Sequence, residues 1–208
     1  MNIVPVAKFN MIEQQLRPWE VLDRNVLSVI GQLDRDDFVP ETYKGLAYAD
    51  CQIPLPNSAS MFPPIVEGRM LQALLINADD HILEIGTGSG YITACLATLG
   101  KQVLSLDIDS ASQQTAAAIL QKKLLNNVEF ETKNAFECVY NKAFNVIAVT
   151  GSVESIPENL KKSLIVGGRL FVIVGESPAM QALLITRAST KEWITESLFE
   201  TDLPALMI

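Results

Sequence analysis

The residues most able to do chemistry stand together in one short stretch of the chain. They are Glu84, Gly86, Thr87, Gly88, Ser89 and Gly90. An apolar run ending at Ile85 precedes the glycines, and a second apolar run from Ile92 to Leu99 follows them. Alternate glycines allow positive φ angles and let a ligand approach the backbone closely. The pattern predicts a buried strand, a tight turn and a helix N-terminus, with Glu84 near the strand end, where open α/β sheets bind ligands.

The spacing of the glycines separates two classes of nucleotide site. A dinucleotide fingerprint is Gly-x-Gly-x-x-Gly, whereas here Gly90 comes one residue early and is followed by Tyr91. A glutamate two residues before the first glycine is also more typical of a site for S-adenosyl-L-methionine (SAM), because the carboxylate can meet the cationic amino group of the methionine. The motif therefore favours SAM over a nicotinamide dinucleotide.

A second acid supports a nucleoside site. Asp107 ends the apolar run 102–107, roughly 20 residues past the glycines, which is the separation at which an acid meets ribose hydroxyls in such folds. Asp109 is the competing candidate, and Asp107 is preferred because it directly follows the apolar run. The alternative role of Asp107 is to cap the helix predicted from Ser110, although Ser110 could cap that helix itself.

Composition excludes several functional classes. The 208 residues are 49% hydrophobic and 19% charged, enough for one domain with a sheet buried on both faces. A net charge of −8 argues against binding a nucleic-acid backbone, and no run reaches the length of a membrane span. Three scattered cysteines and the single His81 form neither a disulfide frame nor a metal site, so we expect reduced thiols, no metal and a cytoplasmic location.

The predicted secondary structure that positions these residues changes near residue 65. Before it, the pattern predicts helix over 10–31, broken at Arg17-Pro18 and resuming near Asp23. Residues 51–64 contain four prolines and predict a stiff, irregular loop. We therefore expect residues 1–64 to be a helical and substrate-loop segment, packed on a SAM-binding core of residues 65–208 within one domain.

From residue 65 onward, helical and strand patterns alternate. Helices are predicted over 65–76, 90–99, 110–125 and 156–164, and strands over 82–86, 102–107, 128–132, 144–150 and 170–174, the last after a turn at 166–169. Two further strands, 181–187 and 193–199, are expected to be antiparallel at the edge. This alternation predicts an α/β fold with a doubly wound, mostly parallel Rossmann-like sheet and an antiparallel C-terminal edge.

Several motifs along the whole chain together resemble protein-L-isoaspartate O-methyltransferases. The N-terminal ones are Met11-Ile12-Glu13-x-Gln15-Leu16-Arg17, Asp23-Arg24-x-Val26-Leu27, Phe38-Val39-Pro40-Glu41 and Leu46-Ala47-Tyr48-Ala49-Asp50. The later ones are Leu83 to Tyr91, Val149-Thr150 with Ile156-Pro157, Val166-Gly167-Gly168-Arg169-Leu170 and Leu198-Phe199. The glycine motif identifies only the superfamily, whereas the N-terminal set makes the resemblance specific.

The resemblance implies methyl transfer from SAM to the free carboxylate of isoaspartyl residues in damaged proteins, with S-adenosyl-L-homocysteine as the product. Glu84 and the loop Gly86–Gly90 would hold the methionine part, and Asp107 would hold the ribose. Asn134-Ala135 stands where the family carries an aspartate that meets the adenine amino group, and the oxygen of Asn134 can still accept that bond. The implied cofactor-binding set is completed by Ile108 and Thr150.

The acceptor loop departs from the family pattern Gln-Thr-Ile-Ser-x-Pro, since this chain reads Ser58-Ala59-Ser60-Met61-Phe62-Pro63-Pro64. If Pro63 takes the proline position, Met61 falls where the serine belongs, whereas a slipped register makes Ser60 the substitute. Ser60 is therefore the catalytic candidate, and the alternative is that Ser58 and Ser60 are ordinary loop hydroxyls.

The changed loop leaves two further hypotheses open: a SAM methyltransferase of the same scaffold with a different acceptor, such as a small molecule, or a SAM-binding protein that has lost turnover. The expected partner is a damaged protein or peptide, with no nucleic acid, no membrane and a monomeric state.

Overall fold

The computed structural model describes residues 6–138, 140–141 and 143–207. The first five residues of the predicted N-terminal segment and the last residue of the predicted core lie outside the described residues. The helices are α1 (Val6–Asn10), α2 (Arg24–Gln32), α3 (Pro64–Ala73), α4 (Tyr91–Leu99), α5 (Ser110–Lys122) and α6 (Glu158–Ser163). The strands are β1 (Ile53–Pro54), β2 (Ser60–Met61), β3 (His81–Ile85), β4 (Gln102–Asp107), β5 (Val128–Thr132), β6 (Phe144–Val153), β7 (Leu164–Glu176), β8 (Ala179–Arg187) and β9 (Trp193–Thr201).

The main sheet has seven strands in the order β5-β4-β3-β6-β7-β8-β9. The strands from β5 to β7 are parallel, and β8 and β9 add an antiparallel edge. The strand order reverses between β3 and β6, which creates a crevice at their carboxyl ends. The predicted fold, including its antiparallel C-terminal edge, is confirmed.

Both faces of the sheet are buried, because neighbouring side chains of a strand point to opposite sides. On β3, Ile82 packs in a cluster with residues of α2, α3 and α4, whereas Leu83 and Ile85 pack in a second cluster that includes Leu160 of α6. Each central strand therefore needs apolar residues at nearly every position, and this requirement explains the continuous apolar runs in the sequence.

The predicted and observed elements differ where the backbone is irregular. The predicted break in the first helix is present: a π-helical turn over Met11–Leu16 and a 3₁₀ turn over Arg17–Trp19 separate α1 from α2, which the Asp23 carboxylate caps. The predicted loop 51–64 contains the β1–β2 pair. The predicted turn at 166–169 is a bulge inside β7, because the pairing with β6 shifts register between Leu164 and Arg169.

Candidate cofactor and acceptor site

Two adjoining cavities open at the carboxyl ends of β3, β4 and β6. The larger encloses about 660 Å³, including space open to solvent, and the smaller about 330 Å³. The residues that line both are Ser60, Phe62, Gly86, Gly88 and Thr150. The glycine loop therefore forms a wall common to both cavities, at the strand-order reversal where this fold class binds ligands.

The glycine loop adopts the conformation that its sequence predicts. Gly86, Gly88 and Gly90 have φ angles of +98°, +50° and +83°. A Cβ on Gly86 would lie 2.4 Å from the Oγ1 of Thr150, and a Cβ on Gly90 would lie 2.6 Å from the Cβ of Ala116 on α5. Positive φ and close packing both exclude side chains here, so β3 can turn directly into α4 while the loop backbone faces the cavities.

Asp107 holds the glycine loop and lines the large cavity. One carboxylate oxygen accepts a hydrogen bond from the Gly88 amide at 3.1 Å, and the other accepts one from the Asp109 amide at 2.9 Å. Asp109, not Ser110, caps α5, because its carboxylate accepts from the Ala111 amide at 3.1 Å. The structure thus separates the two competing acids: Asp107 faces the cavity and Asp109 caps the helix.

The far wall of the large cavity follows β4 and β5. Ile108 is 40% exposed and lines this wall together with Asn134 and Ala135. The Asn134 Oδ1 accepts a hydrogen bond from the Phe136 amide at 3.0 Å, which starts the 3₁₀ turn Ala135–Glu137. Lys133, which the sequence analysis did not identify, also lines the cavity, and its ammonium pairs with Glu131 at 2.7 Å.

Glu84 is placed differently from the sequence prediction. Its side chain is 0% exposed and lines neither cavity. One carboxyl oxygen accepts hydrogen bonds from Thr93 and Ser105, both at 2.6 Å, and burial raises the pKa of this carboxyl to about 8. The predicted direct contact with a ligand amino group is therefore not offered by this structure, and Glu84 instead lies beneath the glycine loop.

The network under the loop continues through hydroxyl groups. The Oγ1 of Thr87 lies 2.7 Å from the Oγ of Ser105, which links the loop to Glu84. The Ser89 Oγ accepts from the Tyr91 amide at 3.3 Å. The Thr150 hydroxyl is within donating distance of the carbonyls of Ile85, at 2.9 Å, and of Gly86, at 2.5 Å. These contacts fix the loop from below and from β6.

The acceptor loop meets the cavities at β2. Ser60 is half-buried and lines both cavities. Met61 is 5% exposed, packs in the main hydrophobic cluster and also lines the small cavity. Phe62 is also buried and lines both cavities. The structure therefore brings a hydroxyl, from Ser60, to the junction of the two cavities, with apolar neighbours around it.

A C-terminal segment that the sequence analysis missed closes the large cavity. Ser152 at the end of β6 accepts from the Leu206 amide at 2.8 Å and donates its own amide to the Pro204 carbonyl at 3.1 Å. The Leu206 side chain approaches the glycine loop so closely that a Cβ on Gly86 would lie 3.0 Å from it. The segment is too short and irregular to give a periodic sequence signal.

Comparison with known proteins gives one consistent family. A family model described as protein-L-isoaspartate(D-aspartate) O-methyltransferase matches residues 7–202. A protein-L-isoaspartate O-methyltransferase from Koribacter versatilis is 35% identical over 178 residues, covering 85% of this chain and 80% of the relative. A relative of the same name from Synechococcus is 34% identical over 200 residues, covering 91% of this chain and 80% of the relative.

Solved structures support the fold. A protein-L-isoaspartate O-methyltransferase from Plasmodium falciparum, solved in complex with S-adenosyl-L-homocysteine, superposes with a TM-score of 0.80 at 20% identity and covers 95% of this chain and 97% of that chain. A second structure of that name superposes with a TM-score of 0.83 at 19% identity, over 96% of this chain and 66% of that chain.

Proposed function

This chain belongs to the protein-L-isoaspartate O-methyltransferase family, and we propose that its two adjoining cavities hold SAM and the isoaspartyl carboxylate that it methylates. The enzyme transfers a methyl group from SAM to isoaspartyl residues of damaged proteins and leaves S-adenosyl-L-homocysteine. The observation that carries the site assignment is the placement of Ser60 and the glycine loop at the junction of the two cavities.

The large cavity fits the cofactor. Gly86 and Gly88 line this cavity at positive φ and present no side chain to it, so a ligand can lie directly against the backbone. Asp107 would accept from the ribose hydroxyls with lone pairs that its amide contacts leave available. Ile108 supplies an apolar surface for the adenine, and the oxygen of Asn134 has capacity for the adenine amino group. Ala135 and Thr150 complete the set that lines this cavity, whereas Thr87 and Ser89, also in the proposed cofactor-binding set, line the small cavity.

Methyl transfer to a carboxylate requires little acid or base catalysis from the protein. A carboxylate with an ordinary pKa near 4 is ionised at neutral pH, so the nucleophile needs no proton acceptor. SAM supplies an electrophilic methyl group when bound. The chain must therefore align the carboxylate with that methyl group and exclude water, and alignment of this kind can lower a barrier by as much as about 7–11 kcal/mol. Ser60 would donate a hydrogen bond to the carboxylate oxygen that does not react.

A transfer assay tests this function. Labelled SAM is offered with matched isoaspartyl and aspartyl peptides, and S-adenosyl-L-homocysteine binding is measured by calorimetry as a control. We expect label on the isoaspartyl peptide alone. Cofactor binding without such transfer would contradict the proposed acceptor and would direct attention to the loop 51–64.

The Ser60→Ala variant tests the catalytic assignment. Loss of one hydrogen bond to a charged group should lower kcat/KM for the isoaspartyl peptide by about tenfold to a hundredfold, while the Kd for S-adenosyl-L-homocysteine stays within about threefold. Ser155→Ala, at an exposed serine outside both cavities, should match the parent enzyme. An active Ser60→Ala enzyme would show that this hydroxyl is only a loop residue.

We also propose that the enzyme acts as a monomer, without nucleic-acid or membrane partners, in the reducing environment of the cytoplasm. The net charge of −8 supports the absence of a nucleic-acid partner, because a nucleic-acid backbone would be repelled. The thiols of Cys51, Cys95 and Cys138 form no disulfide, which supports a reducing environment. In the described part of the chain, no helix has the length and apolar character needed to cross a membrane.

A further inference from the structure

A buried arginine outside the sequence-predicted site connects the walls of the small cavity. Arg35 lies on the 3₁₀ turn Arg35–Phe38 and is 0% exposed. Its guanidinium donates to both carboxylate oxygens of Glu67 on α3, at 2.9 and 3.0 Å. It also donates to the carbonyl oxygens of Ala47, at 2.6 Å, and of Phe62, at 2.7 Å. The side chain therefore makes four hydrogen bonds, which tie it to three residues from different parts of the chain.

The two carbonyls that Arg35 binds lie on either side of Ser60 in the chain. Ala47 precedes the acceptor loop and Phe62 lies within it, so the segment 47–62 includes β1, β2 and Ser60. Glu67 and Phe62 both line the small cavity. The guanidinium also lies 5.5 Å from the ring centroid of Tyr91, the first residue of α4 after the glycine loop. One side chain thus contacts both the acceptor segment and the helix that continues the glycine loop.

Stability alone is a weak reason for this arrangement. Moving a charged pair out of water costs several kcal/mol per ion, and buried pairs can often be replaced by apolar residues without loss of stability. The planar fork of arginine, by contrast, fixes several acceptors in directions that lysine or an apolar side chain cannot reproduce. The carbonyl of Phe62 is held two residues from Ser60, so its anchoring directly affects where that hydroxyl lies.

We propose that Arg35 is a positioning residue for methyl transfer, holding the segment 47–62 against the small cavity so that Ser60 meets the peptide carboxylate. This inference rests on the proposed function. Replacing Arg35 should weaken productive binding of the peptide and leave cofactor binding nearly unchanged. The contact between Asp107 and Gly88 in the large cavity does not involve Arg35.

The test compares Arg35→Lys with a matched variant, Arg169→Lys. Arg169 is also a largely buried arginine, and it pairs with Asp80 at 2.9 Å and donates to the Leu75 carbonyl at 2.9 Å, away from both cavities. Thermal denaturation curves of both variants first establish a temperature at which each is folded. The kinetics are then measured at that temperature. We expect Arg35→Lys to raise KM for the isoaspartyl peptide by about tenfold or more, with the Kd for S-adenosyl-L-homocysteine within about threefold. Arg169→Lys should change neither.

Amide hydrogen exchange provides a readout that does not depend on activity. Arg35→Lys should accelerate exchange within residues 47–62 more than within β3 and β4, without any peptide present. Equal acceleration throughout the sheet, or unchanged exchange in 47–62, would overturn the inference. If Arg35→Lys does not fold, Glu67→Asp retracts the carboxylate by one methylene and should give the same pattern with smaller changes. A wild-type enzyme that binds cofactor but does not methylate the peptide would instead refute the proposed function, and exchange would still decide the role of Arg35.

Discussion

Replacing Glu84 by glutamine should remove most of a pH dependence of stability that arises beneath the glycine loop. The Glu84 carboxyl is 0% exposed and accepts hydrogen bonds from Thr93 and Ser105, but its second oxygen has no partner among the described residues. Burial raises the pKa of this carboxyl from its ordinary value of 4.5 to about 8, because the charged form loses its hydration. Glutamine keeps the size and the accepting oxygen but does not titrate.

The direction of this pH dependence follows from the number of protons that the folded and unfolded chains bind. Between pH 4.5 and about 8, the unfolded chain has lost the Glu84 proton while the folded chain keeps it, so folded-state stability falls as pH rises. The contribution of the neutral Glu84 carboxyl to stability is complete below the pKa of Glu84 in the unfolded chain. It is lost as the pH rises through the pKa of Glu84 in the folded chain. Each pH unit within this window corresponds to about 1.4 kcal/mol, so the change from pH 5 to pH 8 is on the order of 4 kcal/mol.

Urea denaturation at several pH values between 5 and 8 measures this effect. We expect the free energy of unfolding of Glu84→Gln, relative to the wild type, to rise by several kcal/mol across the range. Glu129→Gln, on an exposed residue of β5, should follow the wild-type curve. Parallel curves for the wild type and Glu84→Gln would refute the reasoning, because they would show that the folded protein accommodates the ionised carboxylate.

Two further variants test the loop above Glu84. Asp107→Ala should raise the Kd for S-adenosyl-L-homocysteine by about tenfold or more in calorimetry, because it removes both a proposed ribose acceptor and the acceptor of the Gly88 amide; an unchanged Kd would mean that the cofactor lies elsewhere. Gly90→Ala should lower the free energy of unfolding by about 1–3 kcal/mol more than Gly167→Ala. Both glycines have φ of +83°, but only a Cβ on Gly90 would clash, 2.6 Å from Ala116, while that on Gly167 meets open space; equal losses in denaturation would contradict the packing argument.

The sequence predicted three neighbouring strands closely, since β4 and β5 have the predicted bounds and β3 differs by one residue at each end, whereas β6 and β7 extend beyond their predicted bounds. Long apolar runs bounded by turn residues are local signals, and a strand buried on both faces shows them strongly. The β1–β2 pair was missed because each strand has only two residues and β1 ends in Pro54. The role of Arg35 was missed for a different reason: its partners lie 12 to 32 residues away, and no periodicity encodes such contacts.

The direction in which a polar side chain points was the least predictable property of the site. Glu84 and Asp107 each lie at or near the end of a strand, yet only Asp107 lines a cavity. On β3, the alternation of the strand directs Glu84 toward α4 and β4, where Thr93 and Ser105 bind it. The sequence motif predicts a role for the acid at this position, but contact with a ligand and support of the loop both agree with that prediction.

Side chains that shape the loops and side chains that contact ligands need not be different residues. Asp107 accepts the Gly88 amide, and Asn134 accepts the Phe136 amide, yet both line the large cavity. A carboxylate has about four lone-pair sites and an amide oxygen two, so each retains capacity after holding the backbone. Binding at these residues therefore uses acceptors whose positions folding has already fixed, which reduces the ordering that the cofactor must impose. For a reaction whose nucleophile is ionised without help from the enzyme, this preorganisation is the main contribution that the chain can make.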